Sequence, residues 1–167
     1  VYHHRRSSHT RLGEEQVFRG VNTINLDAKG RMAMPARYRD LLADKYGGRL
    51  VATVDFSGDC LLLYPIDEWE VIQQKVESLS SFDEASRRVQ RMLIGHAHDL
   101  EMDGSGRILL PQNLRARTRL DKHVALVGQG MKFEIWNEEN WTARADSWFD
   151  GESGSVELPP ALLSLSL

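Results

Sequence analysis

Apolar positions change their period along the chain, and the changes mark its elements. Tyr38, Leu41 and Leu42 fall at i, i+3 and i+4 after Pro35, the spacing of a helix with one apolar face. Proline suits the first helical position, and Gly47-Gly48 stops the run. Two β-rich runs follow, near Leu50 to Val54 and Cys60 to Tyr64. A further helix is predicted from about Ile66, with Trp69, Ile72 and Val76 on one stripe. Ser81-Phe82-Asp83-Glu84 has the S-x-x-E form of a capping box and predicts a helix to about Gly95. Val89, Leu93 and Ala97 share a face of that helix, while Arg87, Arg88 and Arg91 supply charge. No apolar run approaches the roughly 18 residues that a membrane helix needs.

The same pattern then begins again. Asn25-Leu26-Asp27-Ala28-Lys29-Gly30-Arg31-Met32-Ala33-Met34-Pro35 recurs as Glu101-Met102-Asp103-Gly104-Ser105-Gly106-Arg107-Ile108-Leu109-Leu110-Pro111, an offset of 76 residues that also relates Arg39 to Arg115. After a small gap, Val51 to Val54 matches Val124 to Val127. Leu62-Leu63-Tyr64 with Trp69 matches Glu134-Ile135-Trp136 with Trp141. Each half predicts a short strand ending at the aspartate, a glycine-containing turn, an apolar strand starting at the arginine, and a helix opened by Pro35 or Pro111. The tryptophans, Trp148 included, sit among apolar residues and read as packing rather than as base-stacking platforms.

Charge sharpens this picture. The chain of 167 residues has a net charge of −3, which by itself argues weakly against nucleic-acid binding. Yet Asn137 to Leu167 carries six acids against Arg144, leaving +2 for the rest. Asp27 to Arg39 holds Lys29, Arg31, Arg37 and Arg39 against one acid, and Arg107 to Arg119 holds four arginines against none. Local charge decides where phosphate binds. Arg37, Arg39, Arg115, Arg117 and Arg119 lie on or after the proline-started helices, and for most of them a solvated helix face is the expectation.

Other chemistry is thin. Cys60 is the single cysteine, so no intramolecular disulfide is possible, which suits a reducing cytoplasm; it reads as a small core residue. Asp55, Asp59 and Cys60 assemble no base, orienter and oxyanion site together, so no enzyme is expected. His96 and His98 lack a third ligand nearby, so neither a metal site nor a cofactor is expected. Within the duplicated motif, Asp and Arg four residues apart can pair across the turn. That pair is either a staple that never meets DNA, or an aspartate that aims an arginine at phosphate or at the O6/N7 edge of guanine. Lys29 suits phosphate, and Gly30 permits positive φ and close backbone approach.

The doubled Asp-x-x-x-Arg motif, each copy followed four residues on by proline, resembles the MraZ family, as do Phe18-Arg19-Gly20, Leu93-Ile94-Gly95-His96-Ala97 and Leu126-Val127-Gly128-Gln129. The resemblance covers about Val17 to Trp148. It implies an α+β fold: a β-barrel of two interleaved AbrB/SpoVT-like swapped-hairpin units with flanking helices. It implies double-stranded DNA at repeated promoter sites as the partner, a ring-like homo-oligomer, and repression of the protein's own operon in the division and cell-wall gene cluster, in the cytoplasm at the nucleoid. It implies DNA contact by Arg31, Lys29, Arg107, Gly30 and Arg19, with Asp27, Asp103, Gly106, Pro35 and Pro111 shaping the motif. Lys29 becomes Ser105 in the second copy, so the two turns need not contribute equally. The competing reading is an AbrB-like protein-interaction module of antitoxin type.

The organisation expected is an extension over 1–16, a first unit over 17–77, a helical connector over 78–96, a second unit over 97–148 and a flexible acidic tail over 149–167. Members of the family usually have Met where Val17 stands, directly before Phe-Arg-Gly. A GTG start at Val17, with Val1 to Gln16 a dispensable misassigned extension, is the corresponding expectation.

Overall fold

The computed structural model describes residues 17–151 and 159–166; the extension over 1–16 lies outside the described residues. Two runs of the same element order flank one helix. The first is β1 (Phe18–Asn25), β2 (Arg31–Ala33), α1 (Ala36–Tyr46), β3 (Arg49–Val54), β4 (Leu61–Pro65) and α2 (Ile66–Glu77). After α3 (Glu84–Leu93) the second is β5 (His98–Glu101), β6 (Arg107–Leu109), α4 (Gln112–Arg117), β7 (His123–Gly130), β8 (Phe133–Asn137) and α5 (Glu138–Phe149). A four-residue helix, α6 (Pro160–Leu163), stands within the segment expected to be a flexible tail.

Local chemistry sets the boundaries. Pro35, Pro65 and Pro111 each hold an N-cap position, one residue before the first helical residue. Gly47 closes α1 in the left-handed conformation, its N–H bonded to Ala43 O at 3.0 Å. The predicted capping box is displaced by two residues: Asp83, not Ser81, caps α3, its carboxylate accepting from Ala85 N–H at 3.1 Å. Aspartate is as good a cap as serine, and here it also takes the Ser86 hydroxyl at 3.0 Å.

The strands form two sheets, one of six strands in the order β1-β7-β8-β4-β3-β5 and one of two, β2-β6. The α+β class is thus present, but the expected barrel is not: the six-stranded sheet is open, with β1 and β5 at its edges. Closure would require those end strands to pair. Instead β2 and β6 leave the main ladder and pair with each other. The β1 edge turns to α1, where Tyr38 Oη donates to Arg19 O at 2.7 Å and Arg37 donates to Asn22 Oδ1.

The order reads identically when β1, β3 and β4 are exchanged with β5, β7 and β8, so the halves are related by an approximate twofold axis. The axis passes by the pairs Leu62↔Glu134 and Met32↔Ile108. Four ladders cross between halves: β1–β7, β3–β5, β4–β8 and β2–β6. Every residue of β4, and all but Arg49 of β3, is buried. Successive strand residues face opposite ways, so both sheet faces are covered there.

Phe133 lies within this shared core. It stacks on Phe18 at 4.1 Å between centroids and meets Tyr38 edge-on at 5.1 Å, joining β8 to β1 and α1. Phe133→Ala is expected to destabilise the fold by about 3–5 kcal/mol. Urea unfolding followed by circular dichroism should show one transition at a lower midpoint, since both halves share the core.

Candidate nucleic-acid interface

Each motif is a turn organised by one carboxylate. Asp27 Oδ1 accepts the N–H of Lys29 at 3.0 Å and of Arg31 at 2.9 Å, and Oδ2 accepts Arg31 Nε at 2.6 Å. Backbone bonds from Asp27 N–H to Arg31 O and from Gly30 N–H to Asp27 O, both 3.0 Å, close the loop. Asp103 repeats the arrangement with Ser105 N–H and Arg107 N–H, both 2.9 Å, and Arg107 Nε at 3.1 Å. These donors hold both carboxylates below the ordinary range of 3.8, the backbone N–H of Arg31 or Arg107 being the largest cause.

The expected Asp–Arg pairs are therefore formed, and they occupy only the Nε edge of each guanidinium. Among the described residues, the terminal Nη groups of Arg31 and Arg107 take no hydrogen-bond partner. The side chains of Arg31 and Arg107 remain 29% and 37% exposed. Staple and oriented arginine are one geometry here.

The β2–β6 register brings the two arginines together. Arg31 stands opposite Leu109, Met32 opposite Ile108 and Ala33 opposite Arg107. Opposed residues share a face and neighbours alternate, so Arg31, Ala33, Arg107 and Leu109 point one way and Met32 and Ile108 the other. Met32 and Ile108 are wholly buried, while Leu109 is 54% exposed. The ribbon thus anchors to the core by its inner pair and presents two arginines outward. Their Cα atoms form a diagonal cross-strand pair, roughly 7–8 Å apart. Lys29 and Ser105 are exposed in the adjoining turns.

Other predicted positions fall elsewhere. Arg19 is exposed on β1, but six residues before its end at Asn25, about 20 Å away along the strand at ~3.3 Å per residue. Gly30 is buried; its N–H bonds Asp27 O, and its carbonyl accepts Leu110 N–H at 3.1 Å. Pro35 and Pro111 start the helices behind the ribbon. Trp69 and Trp136 are buried, as packing requires, whereas Trp148 is 52% exposed and edge-on to Trp141. Burial pushes the Cys60 thiol upward, leaving it protonated. His96 Nδ1 lies against Arg91 O and Met92 O, and His98 against Asn113.

The solvated-face reading, expected for most of the helix arginines, fails for three of the five: Arg37 bonds Asn22 Oδ1 on β1, and Arg39 and Arg115 bond backbone carbonyls. Arg39 Nε donates to Met34 O at 2.6 Å and Arg115 Nε to Leu110 O at 3.0 Å. The Arg115 guanidinium lies over Gly30 and the Cγ–Cδ–Nε stretch of Arg39 over Gly106, each the turn glycine of the opposite half. A Cβ on Gly30 would stand 2.7 Å from Arg115 Nε, and one on Gly106 2.7 Å from Arg39 Nε. Helical spacing gives no sign of this, because the contacts run from Arg39 to Gly106 and from Gly30 to Arg115, far apart in the chain. The only trace in the chain is that Arg39 and Arg115 share the motif's own offset.

Comparison with known proteins agrees with this duplication. The sequence pattern of a family described as "MraZ protein, putative antitoxin-like" matches residues 17–92 and 93–148. The chain is 55% identical over 151 residues to a transcriptional regulator MraZ of Thioalkalivibrio sulfidiphilus, covering 90% of this chain and 100% of that one. It is 56% identical over 146 residues to its namesake in Pseudomonas savastanoi (87% and 94%), and 49% over 152 to that in Serratia proteamaculans (90% and 100%).

The turn chemistry fixes a pH dependence. A carboxylate with a depressed folded pKa contributes stability above its unfolded value and loses it as pH falls through the folded one. Both turns should therefore be fully formed at neutral pH and weaken only on acidification below 3.8. Carboxylate carbon NMR should give midpoints for Asp27 and Asp103 below that value. Arg31→Ala should raise the Asp27 midpoint and leave Asp103 unmoved.

Proposed function

The chain belongs to the MraZ family, and from that premise we propose that it is a sequence-specific DNA-binding transcriptional regulator that reads duplex DNA with the outward face of the β2–β6 ribbon. The observation carrying this reading is the register that sets Arg31 and Arg107 on one face with their Nε edges held by aspartate. An arginine tethered at Nε keeps its Nη pair for end-on, bidentate contact with guanine O6 and N7. A two-stranded ribbon fits the major groove, which is about 12 Å wide. Lys29 adds a phosphate contact to the first turn, and Ser105 makes the second turn the weaker one. Gly30, with both backbone groups bonded within the protein, shapes the turn instead of touching phosphate. Arg19 serves a separate backbone contact at most.

One subunit offers few cations, so a single contact is weak and salt-sensitive. A homo-oligomeric ring facing repeated promoter sites gains by effective concentration. The regulator then represses its own operon, in the division and cell-wall gene cluster, from the cytoplasm at the nucleoid. No helix among the described residues is long and apolar enough to cross a membrane.

Arg31→Ala should abolish specific binding while leaving the melting temperature and the assembly unchanged. A lost base contact costs about 1–3 kcal/mol, and the loss multiplies over a ring. Gel shifts with DNA from upstream of its gene against an unrelated competitor measure the first effect. Light scattering measures the second, as an unaltered multiple of 19.0 kDa. Arg31→Ala binding at wild-type affinity would overturn the interface, and a wild-type mass of one subunit would overturn the ring.

A further inference from the structure

We infer that Arg39 and Arg115 are positioning residues acting across the halves: each sets the DNA-facing arginine of the half to which it does not belong. This rests on the reading of Arg31 and Arg107 as DNA contacts. Arg115, at the end of α4, is tied by Nε to Leu110 O at 3.0 Å. The N–H of the same Leu110 donates to Gly30 O at 3.1 Å. Gly30 directly precedes Arg31, has φ +85, and would place any Cβ within 2.7 Å of both Nε and Nη1 of Arg115. The first turn is therefore seated in the second half by one backbone bond and one guanidinium laid over its glycine.

The arrangement recurs in mirror order. Arg39 Nε donates to Met34 O at 2.6 Å, Met34 N–H donates to Gly106 O at 2.8 Å, and Gly106, with φ +77, lies beneath Arg39. Both turns thus carry the contact, the first through Cζ, Nε and Nη1 of Arg115 and the second through Cδ, Nε and Cγ of Arg39. The turns need such a seat. Asp27, Ala28 and Lys29 are exposed, as are Asp103, Gly104 and Ser105, so in each turn the glycine is the buried link. The aspartate bonds fix the shape of the turn, but they lie within it and cannot fix its tilt against the ribbon. Filling the space with a side chain is excluded by the left-handed φ, so the filler comes from the other half. A guanidinium suits that place: it is planar, it covers the glycine, and it adds positive charge beside the DNA face.

The test uses full-length protein, with binding read in the Arg107→Ala background. In Arg107→Ala, where only the first motif reads DNA, Arg115→Ala should weaken binding to the upstream duplex roughly tenfold, a fraction of what the base contact itself supplies. Arg39→Ala should change it by less than about twofold. For the second turn the readout is spectroscopic: Arg39→Ala should move the Gly106 amide resonance and leave that of Gly30 in place. Arg115→Lys keeps the charge but loses the fork, and should weaken binding as Arg115→Ala does. In amide spectra it should move the Gly30 resonance and leave Gly106 in place. Weakening within the same half, equal weakening that follows the melting temperature, or rescue by lysine would each overturn the inference. If Arg31→Ala and Arg107→Ala alone leave binding intact, the interface itself is misplaced, which is seen before Arg39 or Arg115 is changed.

Discussion

The pairing of β2 with β6 is the constraint on which the proposed DNA-facing side depends. Each strand has three residues, too few to stand alone, and each finds its ladder only in the opposite half. That pairing buries Met32 against Ile108 and by alternation turns Arg31 and Arg107 outward. It also brings each turn under the helix of the other half, where Arg39 and Arg115 meet the glycines. Neither half on its own would hold the complete face proposed to bind DNA. The large sheet serves the same end, since its β1–β7, β3–β5 and β4–β8 ladders lock the relation of the halves.

Rigidity and chemistry are divided between the sheets. The six-stranded sheet carries the core, with β3 and β4 covered on both faces and Phe133 joined to Phe18 and Tyr38. The small ribbon carries the polar work. Its aspartates spend three acceptor contacts on their own turns, and its arginines keep their outer nitrogens for a partner. The approximate twofold is imperfect where function would differ: Lys29 faces Ser105 across it, while the turn aspartates, glycines and arginines are kept. A regulator built this way can weight its two turns unequally without altering its frame.

Much of this was legible in the chain because it is local. The duplicated motif, the proline-started helices and the β-rich runs each depend on residues within one element, and each stands where its pattern placed it. The cap of α3 was misplaced by two residues because serine and aspartate compete for the same role over one turn. What stayed hidden is long-range. Nothing in Met32 or Ile108 states that their strands pair with each other and leave the main sheet open, so a closed barrel was expected and an open sheet with a ribbon was found. Arg39 and Arg115 look like ordinary helix-surface arginines until the opposite glycine is brought beneath them.

The central claim is that DNA lies on the outward ribbon face. Amide and arginine Nε chemical-shift mapping of nitrogen-labelled protein, titrated with a duplex from upstream of its own gene, tests it most directly. The account predicts that the perturbations gather on 28–33 and 104–109, including Nε of Arg31 and Arg107. Perturbations gathered on α3 or α5, with those two stretches unmoved, would contradict it.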